Sequence, residues 1–592
     1  MSDTIIKGGE FLITDVSKDD VFTPEDFTDE HKQIAETTEN FMLNELLPKM
    51  DEIEAKNFDV IKSAMKKCGD LGLLMIDTPE KFGGLQLDKV TSMLVAEKMS
   101  PAGSFSVTYA AHTGIGTLPL IYYGNDAQKQ KYLEKIITGE WIAAYALTEP
   151  GSGSDAMKVD TTAKLSADGK HYILNGTKQF ITNAGMASIF TVFAKIDKEH
   201  FTAFLVERGF EGVSIGPEEK KMGIHGSSTC QVILDNAKVP VENLLGEIGK
   251  GYKIAFNVLN VGRFKLGAAV TGASKYILGE GVKYANQRKQ FGKTIGSFGA
   301  IKEKIADLTA EIYAAESLIY RFAGMIDKNI SQLDRDAKDY YVDYQKAIEG
   351  YSSECGIAKV FCSDTLAHTV DEVVQIHGGY GFISEYVAER AYRDERINRI
   401  FEGTNEINRL LITGMILRKS VKGELPLQSE AMKAFESLMS PTFEEIDETL
   451  PFAREKALVK NLKTLFLILS AAAVQKFMEK LENEQEILMA ASDIAIQIFA
   501  LESAVLRAEK NYQKASENKK KHFDAAVKVF AFNATEEVAK SARKAAFFVE
   551  EGDTLNMILS GIRRFAKYDA TGLLNAKRFL ADSSLEVDKY IF

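Results

Sequence analysis

Between about Glu149 and Leu245 the texture of this chain changes, and that change limits what it can fold into. The runs HYILNGTKQFITNAG, ASIFTVFAKID, FTAFLVERGFEGVSIG and CQVILDNAKVP are short and rich in β-branched and aromatic residues. Asn-Gly, Asp-Gly and Pro separate them, which is the punctuation of strands and turns. No helix-length pattern interrupts the block. It therefore predicts a sheet of antiparallel type and speaks against a βαβ nucleotide-binding unit. On either side the apolar spacing is helical. DEHKQIAETTENFMLNELLPKMDEIEA and DAQKQKYLEKIITGE have charged outer faces, with TPEKFGG as a break between them. Long helical segments resume at about Tyr252 and run to about Lys419. VKGELPLQSE, Val421 to Glu430, reads as a linker, and the remainder is again helical, with EEVAKSARKAAFFVEE as an amphipathic example. The expected class is mainly α with a central β domain. The expected units are residues 1–145 (helical), 146–251 (sheet), 252–420 (helical) and 421–592 (an extra helical extension).

A chain of 592 residues accommodates roughly three to five such units. The net charge of −12 lacks the basic footprint that general nucleic-acid binding requires. The four cysteines, Cys68, Cys230, Cys355 and Cys362, are far apart and form no C-x-x-C, the pattern of reduced thiols in a cytoplasmic protein. The eight histidines show no H-E-x-x-H or paired Cys/His spacing, so no metal site is expected. MSDTIIKGGEFLITD has neither a basic-then-apolar leader nor an Arg-rich transit pattern. The apolar run TLFLILSAAAV, Thr464 to Val474, is too short to span a bilayer and reads as a packed helix.

Four stretches carry candidate chemistry. AYALTEPGSGSDAM, at the first helix-to-sheet junction, contains G-x-G-x-x-A at Gly151, Gly153 and Ala156. It does not join a strand to a helix, so it is a weak dinucleotide fingerprint. Its exposed backbone N–H groups and the hydroxyls of Thr148 and Ser154 suit a planar, hydrogen-bonding ligand edge, or simply a polar interdomain loop. In QIHGGYGFISEYVAERAYRD, Gly378, Gly379 and Gly381 let backbone approach a phosphate or another chain, or else form a helix C-cap. In ANQRKQFGKTIGSFGAIKEKIAD, Arg288 can pair with a phosphate and Phe291 can flank an aromatic ligand, though a charged helix end gives the same pattern. In RIFEGTNEINRLL, Glu402 sits between Phe401 and Gly403, ahead of Thr404 as N-cap and Glu406 in a first helical turn. It is either a solvated helix entry or a base in an apolar slot.

Together these stretches resemble the acyl-CoA dehydrogenase family over about Phe27 to Leu417. ALTEPGSGSD matches its first signature. Q-x-x-G-G-x-G-F with Glu385, Arg390 and Asp394 matches its second, and QRKQFG and FEGTNEI follow the family order. The helical tail is similar to that of the very-long-chain type. The resemblance implies an N-terminal helical domain, a β-barrel-like middle domain and a four-helix domain, with FAD in the cleft between them, partly covered by a neighbouring subunit. It implies α,β-dehydrogenation of a fatty acyl-CoA to the trans-2-enoyl-CoA, with electrons passing to an electron-transfer flavoprotein. By motif, Glu402 is the base. Tyr145, Leu147, Thr148, Gly153 and Ser154 line the flavin and thioester, and Phe180, Ile181 and Thr182 lie against the flavin ring. Arg288, Phe291, Gln375, Gly378 and Gly379 reach the FAD of the partner subunit, and Thr404, Asn405 and Glu406 are cofactor contacts beside the base. Ser154, Asn260, Arg263, Phe401 and Gly403 face the acyl-CoA. Two positions depart from the family pattern. Lys158 stands where a small residue is usual, and Phe180 replaces the commoner Trp, keeping an aromatic wall without its N–H.

The chemistry explains the pattern. A thioester α-proton is weakly acidic, so a carboxylate base gains from a proton affinity raised by desolvation against Phe401. Gly403 lets a main-chain N–H aim at the developing enolate oxygen. Small residues in VTYAAHTGIGT, Val107 to Thr117, leave room for an acyl tunnel or serve tight helix packing. The helical tail makes a homodimer, or a peripheral membrane contact, the alternatives to a tetramer. An acyl-CoA oxidase using oxygen and a non-catalytic flavin-bearing assembly protein remain open beside the dehydrogenase.

Overall fold

The computed structural model describes residues 5–337, 339–438 and 446–592. The first four residues of the N-terminal stretch read above lie outside them. The N-terminal unit is built on α1 (Asp29–Phe41), α2 (Phe58–Asp70), α3 (Lys89–Met99) and α4 (Asp126–Ile137). Each starts where a short polar side chain accepts a free backbone N–H: Thr28, Asn57, Asp88 and Asn125. α1 does not run on through the periodic stretch that follows it. Met42–Leu46 is a π-turn, and Leu47–Lys49 a tight turn around Pro48, before helix resumes.

The chain then enters the sheet through β1 (Ala143–Ala146), followed by β2 (Thr162–Leu165), β3 (His171–Thr182), β4 (Ile189–Ile196), β5 (His200–Glu207), β6 (Val213–Ile215), β7 (Thr229–Pro240) and β8 (Leu244–Leu245). The strand order is β6-β7-β3-β2-β4-β5-β8, with β1 added to β4. The expectation of an antiparallel sheet needs one correction. β1 and β2 both run parallel to β4, because β1 arrives from the helices by a long connection and not a hairpin. β4 is buried on both faces. Phe190, Val192 and Ala194 fill the sheet's own core, while Ile189 and Phe193 pack toward the helices. That double burial seats the sheet on the helical body.

The second helical unit comprises α5 (Gly251–Gln287), α6 (Gly299–Ile330), α7 (Ser352–His377) and α8 (Asn405–Val421). α7 packs on α5, α6 and α8, and its first half is buried all round, which makes it the central helix. The expected linker is shorter than its sequence suggests. Leu427 already opens α9 (Leu427–Glu436), and Leu425, Leu427 and Ala431 are buried, since its apolar residues face the tail.

The tail holds α10 (Ala453–Phe477), α11 (Gln485–Tyr512), α12 (Glu517–Val549), α13 (Gly552–Phe565) and α14 (Leu573–Val587). The run Thr464 to Val474 is the middle of α10, so it belongs to a helix that is long enough to cross a bilayer by length and composition. α11 passes the same test. Their most apolar stretches are 61% and 78% buried inside the molecule, as core helices are. α11 packs on α6, α8, α10 and α12. Buried charges join these bodies. Arg507 of α11 donates to Glu316 of α6 at 2.7 Å and to Glu25 at 2.9 Å. Lys275 of α5 bridges Glu316 and Glu97, and Glu502 of α11 accepts from Arg321 and Lys463. Alternating signs satisfy one another there, and removing one member leaves a buried charge unpaired.

Candidate active site

Glu402 and Gly403 precede α8, both in left-handed backbone with φ of 57° and 82°. Glycine adopts this freely, but a glutamate there stores about 1–3 kcal/mol of strain that its surroundings must hold. Those surroundings are donors to the loop's carbonyls. Arg263 Nε and Asn408 Nδ2 each donate to the Glu402 carbonyl at 3.3 Å. Lys359 Nζ and Asn408 Nδ2 donate to the Gly403 carbonyl at 2.9 and 2.8 Å. Thr404 caps α8, its hydroxyl accepting from the Ile407 N–H at 3.2 Å. Two cations therefore grip the backbone beside Glu402 and leave its carboxylate unbonded. Oε2 is buried with no partner. It faces Gly262 on α5, where a Cβ would stand 2.7 Å from it. Burial pushes the carboxyl up to about 7, and Arg263 and then Lys359 restrain the rise. A carboxylate with a buried, unpartnered oxygen and a proton affinity near neutrality can act as a general base.

Several expected partners gather here. Tyr145 is buried, lies within electrostatic reach of Glu402 and Arg263, and ties its hydroxyl to the Ala255 carbonyl. Asn260 and Arg263 are buried and bonded to each other at 2.8 Å, so Arg263 works on the loop. The side chain of Asn405 is spent differently from its expected role beside a cofactor. It accepts from Lys359 at 2.5 Å and donates to Ser363 at 3.0 Å and Asp364 at 2.8 Å, so it braces the loop from beneath. Glu406 stays in the first turn of α8, below its ordinary proton affinity because backbone N–H groups favour the anion.

A second group of the expected residues lies on the sheet. Glu149 and Lys178 form a buried pair at 2.6 Å, and Lys178 also donates to the Leu147 carbonyl at 3.3 Å. This pins the Thr148–Ser154 loop to β3. Immediately beyond Lys178 the β3–β7 register shifts, Phe180 takes a φ of 57°, and its ring is left 62% exposed. Ile181 turns into the sheet core, leaving only its backbone to offer. A Cβ at Gly153 would meet nothing within 4 Å, and Gly153 and Ser154 are exposed.

A third group lies elsewhere. Arg288 and the Gly378–Gly379 turn line one groove of about 470 Å³ with Tyr284 and Tyr380. Gln375 is 16 residues along α7 from Lys359, which is about 24 Å of helix. Phe291 stands 93% exposed with a φ of 52°. These residues do not join the Glu402 cluster within one chain.

Comparison with known proteins identifies the family. Family models described as acyl-CoA dehydrogenase N-terminal, middle and C-terminal domains match residues 28–140, 144–237 and 249–417, and a further C-terminal domain of the same description matches 461–564. The chain belongs to the acyl-CoA dehydrogenase family. A probable acyl-CoA dehydrogenase of Bacillus subtilis is 49% identical over 99% of this chain and 98% of its own length. The very long-chain specific acyl-CoA dehydrogenase of Macaca fascicularis is 42% identical over 60% of this chain and 53% of its own. A crystal structure of an acyl-CoA dehydrogenase complexed with FAD from Bacillus anthracis has 50% identity and a TM-score of 0.97, covering 99% of this chain and all of that one.

Sequence reading missed Lys359, Asn408, Gly262 and the Glu149–Lys178 pair. A lone lysine inside the apolar run GIAKVFC was the available signal for Lys359. The others needed three dimensions.

Proposed function

We propose that the chain catalyses FAD-dependent α,β-dehydrogenation of a long-chain fatty acyl-CoA to the trans-2-enoyl-CoA, with Glu402 removing the α-proton. The orphaned, desolvated Oε2 of Glu402 carries this reading. The residues present fit FAD. An exposed aromatic ring at Phe180, open backbone at Gly153 and Ser154, and the Arg288 groove supply a flat wall, N–H donors and a phosphate partner in turn. When bound, FAD supplies the two-electron acceptor for the β-hydrogen. Phe180, Thr182 and Thr148 hold its ring, while Arg288, Phe291, Gln375, Gly378 and Gly379 serve the partner's copy. The length of α7 between the two groups supports that division, and the helical tail favours a homodimer over a tetramer. Glu402 receives the α-proton, and a backbone N–H freed by Gly403 steadies charge on the thioester oxygen. Electrons leave to an electron-transfer flavoprotein; peroxide formed in step with turnover would instead mark an oxidase. Four free, buried cysteines suit a reducing cytoplasm.

The long-chain reading draws support from α5. Gly262, Leu266, Ala269 and Ala273 lie on one face and are only partly covered. They mark a path of about 16 Å from Glu402. It leads toward a cavity of about 100 Å³ lined by Val107, Ala269, Ala273 and Val370, with Arg390 and Asp394 also on its wall. That depth suits a long chain. An anaerobic titration of the holoenzyme with palmitoyl-CoA and octanoyl-CoA, followed through the flavin absorbance, tests this. Bleaching that favours palmitoyl-CoA is expected. A flavin that stays oxidised with both would overturn the dehydrogenase reading, and a preference for octanoyl-CoA would overturn the chain length alone.

A further inference from the structure

Arg409 stands two turns beyond Glu402, on α8, and reaches in two directions. Its Nη2 donates to Asp364 of α7 at 3.0 Å, and its Nε donates to Asp493 of the tail helix α11 at 2.7 Å. Ser492, beside Asp493, donates its hydroxyl to the Arg409 carbonyl at 2.5 Å. Asp364 in turn accepts from Asn405, Asn405 accepts from Lys359, and Lys359 holds the Gly403 carbonyl. Hydrogen bonds thus run without a gap from the tail to the backbone beside Glu402.

We propose that the C-terminal tail is a positioning element of the active site: through Asp493 and Ser492 it fixes Arg409, and through Arg409 and Asp364 it fixes the loop that carries Glu402. This rests on the reading of Glu402 as the base. Three observations carry it. Glu402 sits in strained left-handed backbone, which persists only where neighbours over-determine it. The Arg409 fork has one acceptor on each side, and the Asp364 and Asp493 side chains are 41% and 38% exposed, so either pair alone is weak in water and the arginine is fixed only when both are made. α8 also lies against α11, with Ile412, Thr413 and Ile416 buried, so the tail covers the helix that the base precedes.

The test uses the full-length, FAD-loaded enzyme with Asp493→Asn and Ser492→Ala made separately. Single-turnover flavin reduction by palmitoyl-CoA is followed by stopped flow, with hydrogen exchange of the loop amides. The reduction rate constant at saturating acyl-CoA is expected to fall about two- to thirtyfold, the span of coupling through such contacts. Half-saturation and flavin content are expected to stay unchanged, exchange over residues 401–408 to quicken, and Asp493→Glu to recover most of the rate. Wild-type reduction and exchange in both variants, with only a lower melting temperature, would show a merely structural brace and overturn the proposal. Glu402→Gln is measured alongside. If it reduces flavin normally, the base assignment fails, and the exchange data alone decide whether the tail orders the loop.

Discussion

At the scale of single residues, Glu402 is held in a form that disfavours its own charge. Its unfolded carboxyl titrates near the ordinary glutamate value, while burial raises the folded one to about 7. The folded state therefore binds this proton more tightly. The contribution to stability is fully present below the unfolded value and is lost as pH rises through about 7. Glu402→Gln removes the ionisation. In the acyl-CoA-free enzyme it should raise the unfolding free energy near pH 8 by about 1–3 kcal/mol and leave it unchanged at acid pH, measured by denaturant titration. The same variant should retain FAD and lose flavin reduction. The wild-type reduction rate should climb through about pH 7 as the base deprotonates. Lys359 restrains that value, so Lys359→Met should move the pH profile to higher pH; a profile that stays in place would show that the cation does not act on the base.

At the scale of elements, the decisive feature is the irregular stretch of β3. Lys178 points inward to Glu149, and the register shift that follows turns Phe180 outward. Burial lowers the Lys178 ammonium to about 8 even beside its partner, so the pair has little reserve. Glu149→Gln leaves that ammonium without a counter-charge. It should destabilise the protein by about 3 kcal/mol and loosen the Thr148–Ser154 loop, seen as flavin lost during gel filtration. Unchanged flavin retention would mean that the pair supports the sheet and not the cleft. The short strands and the helices around them were legible as elements. The shift was not, since QFIT reads as plain alternation and only pairing with β7 shows where the one extra residue of β3 goes.

At the scale of the whole molecule, the tail is welded to the body by charge as well as by apolar packing. Arg507 is 2% exposed and meets Glu316, Glu25 and the ring of Tyr313. Arg507→Met should lower the unfolding free energy by about 3–5 kcal/mol, because Glu25 then loses its arginine and Glu316 keeps only one cation, Lys275, beside the Tyr590 hydroxyl. Guanidinium unfolding checks this, and a shift under about 1 kcal/mol would show that water replaces the arginine. The groove that Arg288 shares with the Gly378 turn lies at the far end of α7 from Lys359, which supports reading the two regions as separate halves of the proposed cofactor site.

The sequence by itself determined the order of helices, sheet, helices and tail, because apolar period and turn residues are local properties. It also carried the family motifs, in which the proposed base Glu402 and the proposed cofactor contacts Thr148, Phe180 and Arg288 stand in short contiguous stretches. What only the tertiary structure decided is how those groups are held. The cradle of Arg263, Lys359 and Asn408 draws on three helices, and the link from Asp493 to the base joins residues about ninety apart in sequence. The proton affinity of Glu402 depends on which atoms exclude water from it, among them Gly262, far away in the chain. Desolvation and hydrogen bonding are set by neighbours in space, and those neighbours are known only once the chain has folded.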